Sequence, residues 1–411
     1  MNIYFCIIVM ALLLDFFLHT ISRFLDIKCL STKLPHEFKD YYSPDEYRRS
    51  QEYLRENTHF SYLASSFDLL LILLVIFLGL FNTLDLWIRA FGYSPIVTGL
   101  MFFGVLFFIQ DIISTPFALY STFIIEEKFG FNKTTPKTYI LDKIKGYFLL
   151  ILLGGFVLSL ILFFFESFGG MAWLYAWLVL SCFLVLMQPL FTLFIAPMFN
   201  KFTPLEDGEL KDRITSFAQS VNFPISRIDV MDGSRRSSKS NAYFSGLGKN
   251  KRIALFDTLI EKHSVDELVS IIAHEVGHYK KRHNIKGIVL GVLQAGIMFF
   301  MLSIFLNNPQ LFEAFGVENL STYSSLLFFS ILYSPIELIM SFITNNISRK
   351  HEFEADAFAQ TSIGSGKHLI EGLKKLTVTN LGNLTPHRFT VWLSYSHPPV
   401  LDRIHALDVA D

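Results

Sequence analysis

Charge is scarce in this chain. Of 411 residues only 17% are Asp, Glu, Lys or Arg, against roughly 25% in an ordinary soluble domain, while 52% are hydrophobic and Phe alone occurs 44 times. That balance excludes a typical soluble domain and belongs to a membrane protein. Lys and Arg number 35 against 36 Asp and Glu, a formal net charge of −1, so no basic excess points to a nucleic-acid partner. Cysteine is nearly missing. Cys6, Cys29 and Cys182 share no C-x-x-C spacing, and two of them lie in apolar runs, which leaves neither a disulfide framework nor a thiolate metal site. No internal repeat of fixed period and no low-complexity tract is found. The first apolar run, IYFCIIVMALLLDFFLHTISRFL, has no basic n-region and no small-residue cleavage site, and it carries Asp15 and His19; it is expected to be a retained helix rather than a signal peptide.

What the chain has is hydrophobic length. A helix crosses the hydrocarbon core with about 20 mostly apolar residues, and runs of that kind begin near residues 3, 62, 95, 146, 171, 287 and 322. Seven spans are expected. Pro335 and Glu337 interrupt the last one, which marks either a kinked helix lining a cavity or, in a six-span alternative, no span at all. The connections rich in Lys and Arg include DIKCLSTKLPHEFKDYYSPDEYRRSQEYLRE and EEKFGFNKTTPKTYILDKIK. The region from Asn200 to Lys286 and the tail after Arg349 are basic as well, and seven spans place all of them on one face. The positive-inside rule makes that face cytoplasmic. Asp15, His19, Asp68, Asp111, Gln188 and Glu337 fall inside the spans, where polar groups either pair locally or face a water-filled chamber.

The organisation expected is five spans over 1–199, a zinc segment over 200–286, two further spans over 287–343 and a C-terminal segment over 344–411. In the zinc segment, SRRSSKSNAYFSGLGKNKRIALFDTLIE reads as two strands joined by a turn at GLGKN. Ser264 followed by Glu267 is a capping-box signature for the start of a helix. That helix carries HEVGH, residues 274 to 278. Positions i and i+4 share a helix face, so His274 and His278 can turn imidazole nitrogens toward one ion, and Glu275 projects to the flank where it reaches water as general base.

A catalytic zinc usually has three protein ligands and one open position. The metzincin pattern requires glycine at 281 and histidine at 284, where this chain has Lys281 and Asn284, and His283 is one residue out of register. The third ligand must come from farther along the chain, and SRKHEFEADAFAQ is its best source. Glu352 and Asp356 share a face there, so Glu352 is assigned to the metal and Asp356 to the free N–H of a ligating histidine. His351 and Glu354 are competing ligands, and an ordinary solvated acidic face is the alternative.

The segments SNAYFSG, RIALFDTLI, HEVGH, HEFEADAFA and YSHPPVLDRI occur in the order found in the type I CAAX prenyl proteases, integral-membrane zinc endopeptidases. EKFGFNKTTPKTYILDKIK and LPHEFKDYYSPDEYRRSQEYLRENTHFSY are similar to that family too, so the resemblance covers nearly the whole chain. It implies a mainly α membrane protein of seven tilted helices around a large chamber, capped by a cytoplasm-facing, gluzincin-like HExxH zinc metalloprotease domain with a small sheet. It implies one Zn2+ per chain on His274, His278 and Glu352, with catalysis by Glu275. His397 and Arg403 are implied near the substrate, as holders of the oxyanion or of a terminal carboxylate. Asn241, Ala242, Tyr243 and Phe244 resemble the edge strand on which an extended substrate lies.

The expected activity is hydrolysis near the C-terminus of prenylated CAAX substrates. Broad quality-control proteolysis of membrane proteins is a first alternative, and a transporter or channel with a structural zinc a second. The expected partners are a lipidated peptide or protein and the bilayer, with no nucleic acid, and the expected state is a monomer. The end of the sequence, HALDVAD, shows no dibasic retention signal. The expected location is the cytoplasmic membrane in a prokaryote or the endoplasmic-reticulum membrane in a eukaryote.

Overall fold

Seven stretches of this sequence have enough consecutive apolar residues to form membrane-length helices, and each does so. The computed structural model describes residues 2–31, 33–245 and 251–409. Among them the seven helices are Ile3–Lys28, Pro44–Phe77, Pro95–Glu126, Pro136–Ser167, Gly169–Phe199, His283–Phe305 and Thr322–Ile363. The six-span alternative falls with the last of these, because Pro335 sits inside an unbroken helix of 42 residues. A proline cannot donate to the carbonyl four residues back. Here the Ser334 hydroxyl donates to the Ile331 carbonyl at 2.9 Å instead, which keeps that acceptor satisfied away from water. Pro116 and Pro189 lie inside the third and fifth spans, and each is followed by a π-helical stretch, at Ser121–Glu126 and Phe191–Ile195.

The polar groups read inside the spans divide into two kinds. Asp111 is paired, with Lys143 Nζ at 2.7 Å and with the Tyr147 hydroxyl. Asp15 and Asp68, with Ser65 and Gln110, line a cavity of about 560 Å³ between the helices.

At about 1.5 Å per residue a 42-residue helix is roughly 60 Å long, about twice the thickness of the hydrocarbon core. The seventh span therefore continues, without a break at residues 343 and 344, into the run that carries Glu352 and Asp356. Span and candidate ligand helix are one rod.

The polar region between the fifth and sixth spans folds a small open sheet of four strands, β1 (Phe202–Pro204), β2 (Arg227–Met231), β3 (Ala242–Ser245) and β4 (Arg252–Phe256), in the order β1-β2-β4-β3. β3 and β4 are the two strands expected from the sequence, and they pair antiparallel with Tyr243 opposite Ala254. The expected turn at Gly246 to Asn250 lies outside the described residues. β3 ends the sheet, so one of its edges has no partner strand among the described residues. Neither β1 nor β2 was anticipated, since three residues ending in proline show no alternation to read.

The HEVGH helix, Val265–Lys280, starts as its sequence dictates. The Ser264 hydroxyl accepts from the Glu267 N–H and the Glu267 carboxylate accepts from the Ser264 N–H, which satisfies two of the free amides at the helix start. Leu268, Ile272 and Val276 on this helix pack with Ile253 and Leu255 of β4, Ile214, and Ile404 near the C-terminus. This core, which also takes in Tyr47 and Ala359 from the polar ends of the second and seventh long helices, fixes the helix against the sheet.

Glycine at 277 decides where that helix meets the long rod. A Cβ placed there would lie 3.0 Å from the Ala355 Cα and 3.0 Å from its carbonyl oxygen. Two backbones thus touch at a point one residue from His278 and one residue from Asp356. The expected outcome for Gly277→Val is a protein destabilised by about 1–3 kcal/mol through overpacking that also retains less zinc. Thermal unfolding and metal content measured side by side check this, and unchanged zinc retention would show that the close contact does not set the metal geometry.

Candidate metal centre

His274 and His278 emerge one above the other from the HEVGH helix, and Glu352 faces them from the rod that crosses it. The two imidazole Nε2 atoms are 3.1 Å apart. His274 Nε2 lies 3.5 Å from Glu352 Oε2, and His278 Nε2 lies 3.3 Å from Glu352 Oε1. A tetrahedral ion with bonds of about 2.0–2.1 Å holds its ligand atoms roughly 3.3 Å from one another. The three side chains are therefore already spaced as a zinc shell requires.

The chemistry of these atoms agrees with the spacing. Glu352 Oε2 is buried and makes no hydrogen bond among the described residues; the Arg403 guanidinium at 3.4 Å balances its charge and leaves its lone pairs for a metal. His274 uses its other nitrogen, Nδ1, on Asp356 Oδ1 at 2.7 Å, which leaves Nε2 turned toward its neighbour. Among the described residues this is also the one group of three such side chains whose ligand atoms converge. Three ligands with a position left open is the catalytic pattern of zinc rather than the closed structural one. His274, His278 and Glu352 form a single zinc site.

Asp356 is held in turn. Arg403, buried, donates through Nε to Asp356 Oδ2 at 2.8 Å and through Nη2 to Oδ1 at 2.6 Å, a two-point grip that only a planar guanidinium provides. Its Nη1 stands 3.4 Å from Glu352 Oε2. Burial disfavours the charged form of His274, but Asp356 and Glu352 outweigh it and raise the ring's pKa to about 9. The same carboxylates attract any cation at that position. Burial pushes the Glu275 carboxyl above its ordinary value, although His274 and His278 pull it the other way. A raised carboxyl pKa makes Glu275 a stronger proton acceptor than a surface glutamate.

The remaining sequence expectations fall around this centre. His397 is two-thirds exposed, with Nε2 3.5 Å from Glu352 Oε1 and Nδ1 3.0 Å from the Ser396 hydroxyl. It stands on the open side, whereas Arg403 is closed in by carboxylates. Phe244 of β3 packs edge to face on Tyr279, one residue beyond His278, with ring centroids 5.9 Å apart, which ties the edge strand to the zinc helix. Asn241 precedes β3, and its carbonyl accepts from the Phe256 N–H at 3.2 Å.

Two residues considered as rival ligands belong to a neighbouring network. His278 Nδ1 lies 3.0 Å from His283 Nδ1, and His283 Nε2 lies 3.0 Å from Glu354 Oε2. His351 stacks on His283 with ring centroids 3.9 Å apart. The helix breaks at Arg282, which adopts a left-handed conformation, φ 58°, uncommon outside glycine. That break turns His283 back toward His278.

Comparison with known proteins matches the chain in two parts. Residues 26–201 match the family described as CAAX prenyl protease N-terminal, five membrane helices, and residues 204–410 match Peptidase family M48. The chain is 35% identical to CAAX prenyl protease 1 of Saccharomyces cerevisiae, over 93% of this chain and 90% of that one. It is 33% identical to the CAAX prenyl protease 1 homolog of Homo sapiens, over 92% and 89%. Its structure is similar to the crystal structure of S. mikatae Ste24p, with a TM-score of 0.91, 33% identity and coverage of 98% and 99%.

Asp356→Asn removes the acceptor that fixes the His274 tautomer, and losses of about 10- to 100-fold in metal affinity are typical for such a partner. Zinc content after dialysis against a graded chelator should show that loss, while Glu352→Gln should lose zinc altogether. Wild-type retention in Asp356→Asn would mean that the carboxylate only packs.

Proposed function

The chain belongs to the CAAX prenyl protease branch of the M48 zinc metallopeptidases, and from that premise we propose that this membrane zinc endopeptidase cuts near the C-terminus of prenylated CAAX substrates, with Glu275 as its general base. The observation that carries the reading is the three-point convergence of His274, His278 and Glu352, with a carboxylic acid on the next residue, Glu275.

Zinc, when bound there, supplies Lewis-acid polarisation of the scissile carbonyl and acidifies water. The protein does the rest. The substrate backbone adds in extended form to the open edge of β3, which hydrogen-bonds main chain and is tolerant of side chains. Glu275 accepts a proton from the attacking water as the new C–O bond forms, and then delivers it to the amine of the tetrahedral intermediate as the C–N bond breaks. His397, exposed at the open side, donates to the developing oxyanion. Arg403 is a positioning residue. Its guanidinium holds Asp356, which holds His274, and it faces carboxylates rather than substrate.

The cavity lined by Asp15 and Asp68 is part of a chamber enclosed by the seven helices. The zinc end faces the cytoplasm, as the basic connections require. The membrane is the cytoplasmic membrane in a prokaryote and the endoplasmic-reticulum membrane in a eukaryote, and the protein acts as a monomer. Residues 1–199 and 287–343 serve as membrane units, with 200–286 and 344–411 closing over them as the catalytic unit.

Glu275→Gln should keep one zinc per chain yet cut a farnesylated CAAX peptide about 10²- to 10⁴-fold more slowly. Turnover retained by a zinc-loaded Glu275→Gln protein would sink the assignment of the base. The wild-type enzyme should cleave the farnesylated peptide faster than its unlipidated twin. Equal rates would point instead to broad quality-control proteolysis.

A further inference from the structure

The sixth span begins directly after the HEVGH helix, and the groove it forms with the seventh is open. Its volume is about 810 Å³, and its lining runs from the zinc ligand His278 through Arg282 and Lys286 to Val289, Leu293 and Ile347. No Asp or Glu is among its lining residues. Arg282 and Lys286 are exposed, and neither is in an ion pair among the described residues. Of the carboxylates nearby, Glu352 faces the zinc ligands, and Glu354 is hydrogen-bonded by His283 Nε2 at 3.0 Å and approached by Lys350 at 4.0 Å. Arg282, Lys286 and Lys350 against Glu354 leave the mouth of the groove net positive, with Arg282 and Lys286 in no ion pair among the described residues.

Below the mouth the character reverses. Ile285, Val289, Leu293 and Ile297 on the sixth span are each about half exposed, four residues apart along one face, and Ile343 and Ile347 on the seventh span are exposed beside them. In a membrane helix such a stripe is covered by hydrocarbon. Gly287 and Gly291 keep the groove from filling, since a Cβ at either would meet nothing within 4 Å. Basic side chains immediately outside a span, above an apolar channel, match a ligand with a negative head and a greasy tail.

We infer that this groove binds one anionic phospholipid, with the headgroup phosphate between Arg282 and Lys286 and an acyl chain laid along Val289 and Leu293 between the sixth and seventh spans. The site is separate from the substrate edge strand, yet it ends at His278, so an occupied groove borders the zinc shell.

Native mass spectrometry of the zinc-loaded full chain in detergent, titrated with dioleoyl phosphatidylglycerol or with dioleoyl phosphatidylcholine, tests this. The two lipids share acyl chains, so a difference reports the headgroup. The wild type should take up one phosphatidylglycerol in preference to phosphatidylcholine. Removing two interfacial charges in Arg282→Gln/Lys286→Gln should weaken that uptake by roughly 25-fold, with zinc content unchanged. Gly291→Phe keeps both charges and plugs the channel, and it should lower the uptake as well. Equal uptake of the two lipids by the wild type would overturn the inference, as would undiminished uptake by both variants. Displacement of the lipid by a farnesylated CAAX peptide would assign the groove to substrate and overturn it too.

Discussion

The structure depends on one backbone contact, Gly277 against Ala355. Zinc ligands on separate helices are useful only if the helix axes come close enough for short side chains to share an ion. Glutamate is longer than aspartate but still reaches only a few ångströms from its own backbone. Because no Cβ stands between the two helices at their crossing, Glu352 lies within 3.5 Å of both imidazoles, and Asp356, one turn on, meets His274 from the other side. Around that crossing the charges alternate, Arg403 on Asp356, Asp356 on His274, with Glu352 left facing inward. A buried chain of this kind is favourable only when every member is satisfied, and Glu352 Oε2, beside Arg403 at 3.4 Å but without a hydrogen bond, is the atom with capacity left for a metal.

The second consequence of the crossing is mechanical. The helix that brings Glu352 is the seventh membrane span itself, prolonged beyond the bilayer. The zinc site thus rests on a rod whose other half lies in the membrane, while the HEVGH helix is fixed from behind by β4 and the C-terminal helix. Movement of the seventh span relative to the others would be felt directly at the third ligand. The Ser334 hydroxyl on the Ile331 carbonyl is a small detail with a large role here, since a break at Pro335 would uncouple the two halves.

Much of the site was legible because its signals are local. The i, i+4 pair His274 and His278, the flanking Glu275, the Ser264/Glu267 cap and the shared face of Glu352 and Asp356 all depend on helix periodicity, which a sequence carries in plain view. Span number was legible for the same reason, as hydrophobic length is a local sum. Spacing could say of His283 only that it stands one residue out of metzincin register, because the left-handed Arg282 that redirects it leaves no composition signature. Nor could spacing separate His397 from Arg403. Both sit in one short motif, and only the packing of that motif against the rod exposes the first and buries the second.

The sequence by itself determined the class of solvent this chain inhabits, the helices that cross it and the pair of imidazoles that must bind one metal, since each follows from neighbours within a few turns. The tertiary structure decided which carboxylate completes the shell, which arginine holds it steady, that span and ligand helix are continuous, and that a charged-mouthed groove opens beside His278. The contacts among them join residues 47 to 129 positions apart. Their geometry is set by where two backbones can touch, which no local pattern encodes.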